Sequence, residues 1–204
     1  MKYCSLGEMC HSAMLLKNNG LKDASYPFDW IFSNVKMVKH CIEDDFKTYL
    51  DKSYYSTSSI RGDVCEHSLY GEWVKVEANI IFNHHDPSVN EEHYSYYQRC
   101  VKRFKDLLTS SEEKTFLLFY RNKSKDYKDC LAEASSLCNF LSNHTTNFNF
   151  LCIYHNPTGK QVHKILKSKN LKFVHLQTKS VTTGTEFIDE SDNVYLNNIL
   201  NEIR

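Results

Sequence analysis

Two groups of side chains in this sequence are of the kind that carries out chemistry. Cys10 and His11 stand near the start of a predicted helix, just after Gly7, and His85 and Asp86 follow an apolar segment predicted as a strand. A thiol in the first turn of a helix has its pKa lowered by the positive end of the helix dipole, which favours the nucleophilic thiolate. An imidazole beside that thiol could serve as base and then as acid, as a cysteine hydrolase requires.

Each of these residues also has a purely structural interpretation. Cys10 could pack as a small apolar side chain, because free cysteines are among the most buried residue types. Asp86 could open the turn at Pro87 or cap a helix that begins near Asn90. His11 points about 100° away from Cys10 on a helix and is the weaker candidate for a base.

Metal, nucleotide and serine-hydrolase sites lack their usual motifs. Cys65-Glu66-His67, and His84-His85 with His93, match no recognised zinc-ligand spacing, and the sequence has no G-x-G-x-x-G, Walker loop or G-x-S-x-G. We therefore expect neither a metal nor a cofactor. Arg121 follows an apolar strand and is suited to a carboxylate or phosphate, with an ion pair to an acidic neighbour as the structural alternative.

The second half of the chain indicates the fold. Apolar strands are predicted over 115–120, 148–154 and 171–176, and helices over 127–141, 159–167 and 194–203. Near-continuous apolar strands that alternate with helices are typical of a buried, mostly parallel sheet with crossover helices. Since ligands bind beyond the carboxyl ends of such strands, we expect the candidate residues at one rim of the sheet, together with Arg121 and His155.

The N-terminal half is less regular. The patterns predict a strand over 2–5, helices over 8–18, 35–49 and 90–108, an extended segment over 25–29, a long loop over 51–71 with a strand near Val64, and one or two strands over 74–82. The expected architecture is a single α/β domain that spans residues 1–204.

Composition indicates the cellular compartment and the classes of binding partner. Lys+Arg and Asp+Glu are both 25, so no basic excess favours nucleic acid. No apolar run approaches the roughly 20 residues needed to span a bilayer, and the N-terminus lacks the apolar stretch of a signal peptide. Eight cysteines without a C-x-x-C pair then predict reduced thiols in a cytoplasmic protein that contacts neither membrane nor nucleic acid.

The N-terminal motif resembles that of a known family. Ser5-Leu6-Gly7-x-x-Cys10, followed by Ser25-x-Pro27-Phe28-Asp29-Trp30, is similar to the opening signature of an uncharacterised family of papain-like cysteine peptidases. A His-Asp pair after an apolar strand, an aromatic and arginine-rich helix, and a strand ending in arginine extend the resemblance over most of the chain. It implies Cys10 as the nucleophile and His85 as its imidazole partner, with Asp86 to orient it.

These observations support one leading hypothesis and two alternatives. The leading one is a thiolate hydrolase that cleaves an amide or ester bond in a peptide-like or small-molecule substrate, with Gly7, Asp29, Trp30 and Arg121 contacting the substrate. The first alternative is a transferase-like protein that binds a nucleotide or sugar phosphate at the strand rim. The second is a non-catalytic interaction protein that uses the tyrosine-rich segments at 94–97 and 54–55.

Overall fold

The computed structural model describes residues 1–120 and 126–203. Its strands are β1 (Lys2–Ser5), β2 (Tyr55–Thr57), β3 (Cys65–His67), β4 (Ile80–Phe82), β5 (Lys114–Tyr120), β6 (Phe148–Pro157), β7 (Val162–Ser168) and β8 (Leu171–Thr178). Its helices are α1 (Cys10–Asn18), α2 (Val35–Glu43), α3 (Ser68–Val74), α4 (Glu91–Thr109), α5 (Tyr127–Ser142) and α6 (Glu190–Ile203).

The main sheet has five strands in the order β1-β5-β6-β8-β7. All neighbours are parallel except β7 and β8, which pair antiparallel. The interior strand β5, between β1 and β6, is buried along its whole length, which explains why its sequence is an unbroken apolar run rather than an alternating one. The predicted α/β fold with a mostly parallel sheet is therefore confirmed.

The two faces of β5 pack against different helices. Phe116 and Leu118 belong to a core that includes residues of α2, α4 and α5. Leu117 and Phe119 belong to a second core, formed with α1 and α6. Successive side chains of a strand point to opposite faces, so this one segment holds both helical layers in place.

A smaller antiparallel sheet, in the order β2-β3-β4, lies beside the larger one. Cys65 at the start of β3 pairs with Phe82 at the end of β4. The β2–β3 connection therefore lies next to the residues that follow β4. Phe82 is fully buried in the aromatic core that this sheet shares with α4.

Several predicted elements differ from the structure. Residues 159–167, predicted as a crossover helix, belong largely to β7. Val162 and Lys164 are exposed while His163 and Ile165 are partly covered, which is the period-two pattern of a strand at a sheet edge. The region 51–71, predicted as a long loop, contains β2, β3 and the start of α3. Of the region 74–82, predicted as one or two strands, only Ile80–Phe82 forms a strand, β4. The helix predicted over 35–49 ends at Glu43. Arg121 lies outside the described residues.

Within the part of the chain that the structure describes, no helix combines the length and apolar character needed to cross a membrane.

Three histidines are buried in this fold and remain neutral. His67 accepts a hydrogen bond at Nδ1 from the backbone N–H of Tyr70, 3.2 Å away, and so caps α3. His155 pairs through Nε2 with Thr178 Oγ1 at 2.6 Å, and His11 through Nδ1 with Thr182 Oγ1 at 2.8 Å. Burial lowers the pKa to about 4 for His67, to about 4 for His155 and to about 3 for His11.

We expect the free energy of unfolding to fall as the pH drops from about 6.5 towards about 4. In that window the unfolded chain binds protons at these histidines and the folded chain does not. Each histidine adds a slope of up to about 1.4 kcal/mol per pH unit. Urea unfolding across this range measures the slope, which His67→Gln should reduce and His144→Gln, at an exposed site, should not. A flat pH dependence would contradict the prediction.

Candidate active site

The turn between β1 and α1 places Cys10 at the carboxyl edge of the main sheet. The carbonyl of Gly7 accepts a hydrogen bond from Phe119 N at 2.9 Å, and Glu8 N donates to Phe119 O at 3.2 Å, which continues the β1–β5 ladder past the end of β1. Gly7 has φ of +96°, and a Cβ atom there would lie 1.8 Å from Ser33 Oγ. Only glycine fits this close approach, and Cys10 follows as the first residue of α1.

Residues 31–33, here called the bridging segment, join this turn to the small sheet. Ser33 N donates to Glu8 O at 3.2 Å, and Ser33 Oγ donates to Leu6 O at 2.9 Å. On the other side, Phe32 N donates to Ile81 O at 3.0 Å, and Ile31 forms an antiparallel bridge with Phe82. The bridging segment therefore fixes the position of the residues after β4 relative to Cys10.

This arrangement brings an imidazole to the thiol. Cys10 Sγ lies 3.4 Å from His84 Nε2. Cys10 is only 4% exposed, whereas His84 lies at the surface. The sequence-based pairing of Cys10 with His85 is not what the structure shows. His85 faces the other way, with its ring 4.6 Å from that of His93 and 5.0 Å from that of Tyr96.

The thiol and the imidazole form a neutral pair. Burial raises the pKa of Cys10 to about 11, and this outweighs the backbone hydrogen bond at the helix start, which lowers it. Burial also lowers the pKa of His84, with a further lowering from the positive charge of Arg61. Near neutral pH the proton therefore stays on sulfur, and Nε2 can accept it when the neutral ring carries its own proton on Nδ1. The thiolate expected from the helix dipole is not the resting state.

The motif residue Trp30 packs against His84. The two rings meet edge to face, with centroids 6.2 Å apart. The ammonium of Lys22 lies 5.8 Å from the Trp30 ring centroid. Trp30 restricts the movement of the His84 ring and so helps to keep Nε2 at the thiol.

Asp29 is buried and holds the segment before Trp30 in shape. Its Oδ2 atom forms an ion pair with Lys22 and accepts a hydrogen bond from Tyr26 N at 2.8 Å. Burial raises the pKa of Asp29, and Lys22 opposes that shift. Lys22 also donates to Ala24 O at 2.6 Å. Asp29 was predicted to contact substrate, but its side chain is 1% exposed and contacts the protein instead.

Asp86 belongs to a turn rather than to the thiol–imidazole pair. Its carboxylate accepts hydrogen bonds from Thr57 Oγ1 at 2.6 Å and from Ser88 N at 2.9 Å. Burial would raise the pKa of Asp86, but the hydrogen bonds from Ser88 and Thr57 more than offset it, and the pKa lies below its usual value. Among the described residues, Asp86 makes no hydrogen bond with the ring of His84 or His85.

His11 and His155, which were also expected at the rim, do not join the pair. His11 stacks on Phe119 at 4.3 Å, and His155 packs 4.8 Å from Phe187, so both rings are enclosed by aromatic side chains. No group of three or more His, Cys, Asp or Glu side chains that could hold a metal ion occurs within residues 1–120 and 126–203.

Sequence reasoning missed His84 as the partner of Cys10, and it missed Arg61 and Lys22 altogether. His84 and His85 have the same chemical type and adjacent positions, so only the direction of the chain after β4 distinguishes them. Arg61 stands in a Ser- and Tyr-rich stretch without periodicity. The N-terminal motif does contain two residues that lie against His84, namely Cys10 and Trp30.

The fold and this site define a mixed α/β protein with a paired thiol and imidazole at the carboxyl edge of its sheet. The model of the family described as "Putative papain-like cysteine peptidase" matches residues 1–158, and the chain belongs to this family. The chain is also 26% identical over 180 residues to an uncharacterized protein of Acanthamoeba polyphaga mimivirus. The alignment covers 78% of this chain and 79% of the relative. No solved structure gives a significant match.

Gly7→Ala should destabilise the protein by about 2–4 kcal/mol, because the new Cβ would overlap with Ser33 Oγ at a backbone conformation that L residues rarely adopt. Gly20 is the matched control. It also has a positive φ, of +66°, but no atom lies within 4 Å of a Cβ built there. Gly20→Ala should therefore cost only about 1 kcal/mol. Urea unfolding compares the two, and equal losses would refute a packing role for Gly7.

Asp29→Ala should lower the free energy of unfolding by about 3–5 kcal/mol, because it leaves the buried ammonium of Lys22 without its partner. Asp23→Ala removes the partner of Lys2 in an exposed ion pair, where solvent screens the charges, and should cost much less. Chemical denaturation of both variants tests the difference. A loss at position 29 no larger than at position 23 would show that burial does not strengthen the pair.

Proposed function

We propose that the protein is a cysteine hydrolase in which Cys10 attacks a carbonyl carbon and His84 transfers the proton. The observation that carries this proposal is the 3.4 Å contact between Cys10 Sγ and His84 Nε2 at the first residue of α1. Membership of the papain-like family supports a peptide-like amide or ester bond as the target. His84, rather than His85, takes the imidazole role in this proposal.

Acylation begins from the neutral pair. As Sγ forms its bond to the substrate carbonyl carbon, the thiol proton moves to His84 Nε2 and the carbonyl π electrons move to oxygen. The tetrahedral intermediate then collapses, the bond to the leaving nitrogen or oxygen breaks, and His84 returns the proton to that atom. The products of this half are a thioester at Cys10 and a free amine or alcohol.

Deacylation repeats the sequence with water. His84 Nε2 accepts a proton from water as the water oxygen attacks the thioester carbon. The C–S bond then breaks, the carboxylic acid product leaves, and the proton on His84 returns to the sulfur. A neutral imidazole is needed at the start of both halves, and the lowered pKa of His84 keeps it neutral near pH 7.

The N-terminus of α1 supplies the electrostatic part of the mechanism. The N-cap residue Met9 forms no side-chain hydrogen bond to the first turn of the helix. The backbone N–H groups of that turn are thus suited to receive the oxyanion that forms on the substrate, since helix N-termini attract negative charge. Attack by Cys10 places the carbonyl oxygen close to these groups.

A chromogenic ester such as 4-nitrophenyl acetate tests the proposal without knowledge of the natural substrate. We expect a thioester at Cys10, detected by intact mass and peptide mapping, and no thioester at that position in Cys10→Ala. His84→Ala should slow its formation about 100-fold, because general-base catalysis contributes at least that factor. His85→Ala is the matched control and should react at the wild-type rate.

The pH dependence of the acylation rate distinguishes general-base catalysis by His84 from simple ionisation of the Cys10 thiol. With His84 as base, the acylation rate should rise through the lowered pKa of His84 and level off near neutral pH. In His84→Ala it should keep rising towards the pKa of Cys10, about 11. Equal rates in His84→Ala and wild type, or a slow variant at position 85 alone, would overturn the proposal.

A further inference from the structure

Arg61 lies close to His84, the imidazole that contacts Cys10, because of how the small sheet is built. It occupies the connection between β2 and β3, whose ends are closed by the hydrogen bond from Ser58 N to Val64 O at 3.1 Å. Because β3 and β4 are antiparallel, this connection lies next to the residues that follow β4. The guanidinium therefore reaches Asn83, the residue directly before His84.

The contacts of Arg61 orient its guanidinium without saturating it. Nη1 donates to Asn83 Oδ1 at 3.0 Å and Nη2 donates to Asn83 O at 3.4 Å. Nε lies 3.4 Å from Asp63 Oδ1. A guanidinium carries five N–H donors, so donors remain for a further acceptor, and 47% of the side chain is exposed to receive one.

The charges around Arg61 leave it able to attract an anion. Asp63 is the acidic side chain in contact with it, and 76% of the Asp63 side chain is exposed, where solvent screens its charge. His84 is neutral near pH 7, and its pKa is lowered by burial first and then by Arg61, so the positive charge is felt at the imidazole. Asn83 fixes the guanidinium without cancelling its charge.

We propose that Arg61 forms a carboxylate-binding subsite beside Cys10 and His84, so that the preferred substrate carries a carboxylate close to the bond that is cleaved. This inference rests on the proposed function. A planar guanidinium can bind a carboxylate through two parallel hydrogen bonds. In a peptide-like substrate the anions that occur near an amide bond are the terminal carboxylate and the side chains of Asp and Glu.

Two alkylating reagents of nearly equal size test the charge preference at Cys10. Iodoacetate and iodoacetamide both react by forming a bond from sulfur to the CH₂ carbon while iodide leaves and the thiol proton passes to His84. Iodoacetate carries a carboxylate and iodoacetamide does not. The intrinsic reactivity of the thiol affects both rates equally. The ratio of the two rates at Cys10 therefore reports the effect of Arg61 on the charged reagent.

Arg61→Gln should lower the iodoacetate-to-iodoacetamide rate ratio at Cys10 about threefold to tenfold, as expected for one charge near a solvated site. Asp63→Asn should raise the ratio, because it removes the opposing charge. Arg99→Gln, on the exposed side of α4, is the control and should leave it unchanged. An unchanged ratio in Arg61→Gln would overturn the subsite while leaving the roles of Cys10 and His84 intact.

If Cys10 reacts with neither reagent, that result counts against the proposed function. A binding measurement still tests the carboxylate subsite in that case. N-acetylglycine offers a terminal carboxylate and N-acetylaspartate diamide a side-chain carboxylate. Titration of either into the protein, followed through the imidazole NMR signals of His84, should give a saturable shift that Arg61→Gln removes. No saturable shift with either compound, or an equal shift in Arg61→Gln, would overturn the subsite.

Discussion

The hydrogen bonds of the bridging segment, residues 31–33, are the constraint on which the site depends. Cys10 belongs to the large parallel sheet and its first helix, whereas His84 follows a strand of the small antiparallel sheet. Ser33 binds the turn before Cys10, and Ile31 and Phe32 bind β4. Because a hydrogen bond fixes separation to a few tenths of an ångström, this short segment sets the thiol–imidazole distance that neither sheet could set alone.

Burial, more than the helix dipole, controls the charge state of the thiol. The start of α1 does favour a thiolate at Cys10, but removal of the sulfur from water acts more strongly in the opposite direction. In the proposed mechanism, a neutral thiol next to a neutral imidazole is activated at the moment of attack, as the nucleophile of a serine hydrolase is, rather than stored as an ion pair. The buried carboxylate of Asp29 reinforces this by raising the pKa of Cys10 further.

The sequence predicted those parts of the structure that depend on local pattern. The strands β5, β6 and β8 were recognisable because each is a run of apolar residues. The helices α4 and α5 were recognisable because their apolar residues recur every three or four positions. For β7 the pattern predicts a helix instead, since the edge position of this strand exists only once β8 has formed beside it. The choice between His84 and His85 likewise depends on which way the chain turns after β4, and a shift of one residue reverses the direction of a side chain.

The edge strand β7 has a consequence for how another strand could pair with the main sheet. A strand at the end of a sheet order presents backbone N–H and C=O groups that another chain could extend. Lys164 and Lys167 are both exposed along β7, and Lys169 follows in the turn to β8. A second copy that paired edge to edge would bring these like charges together. The exposed lysines of β7 therefore disfavour extension of the sheet at this edge, as charged side chains on edge strands generally do.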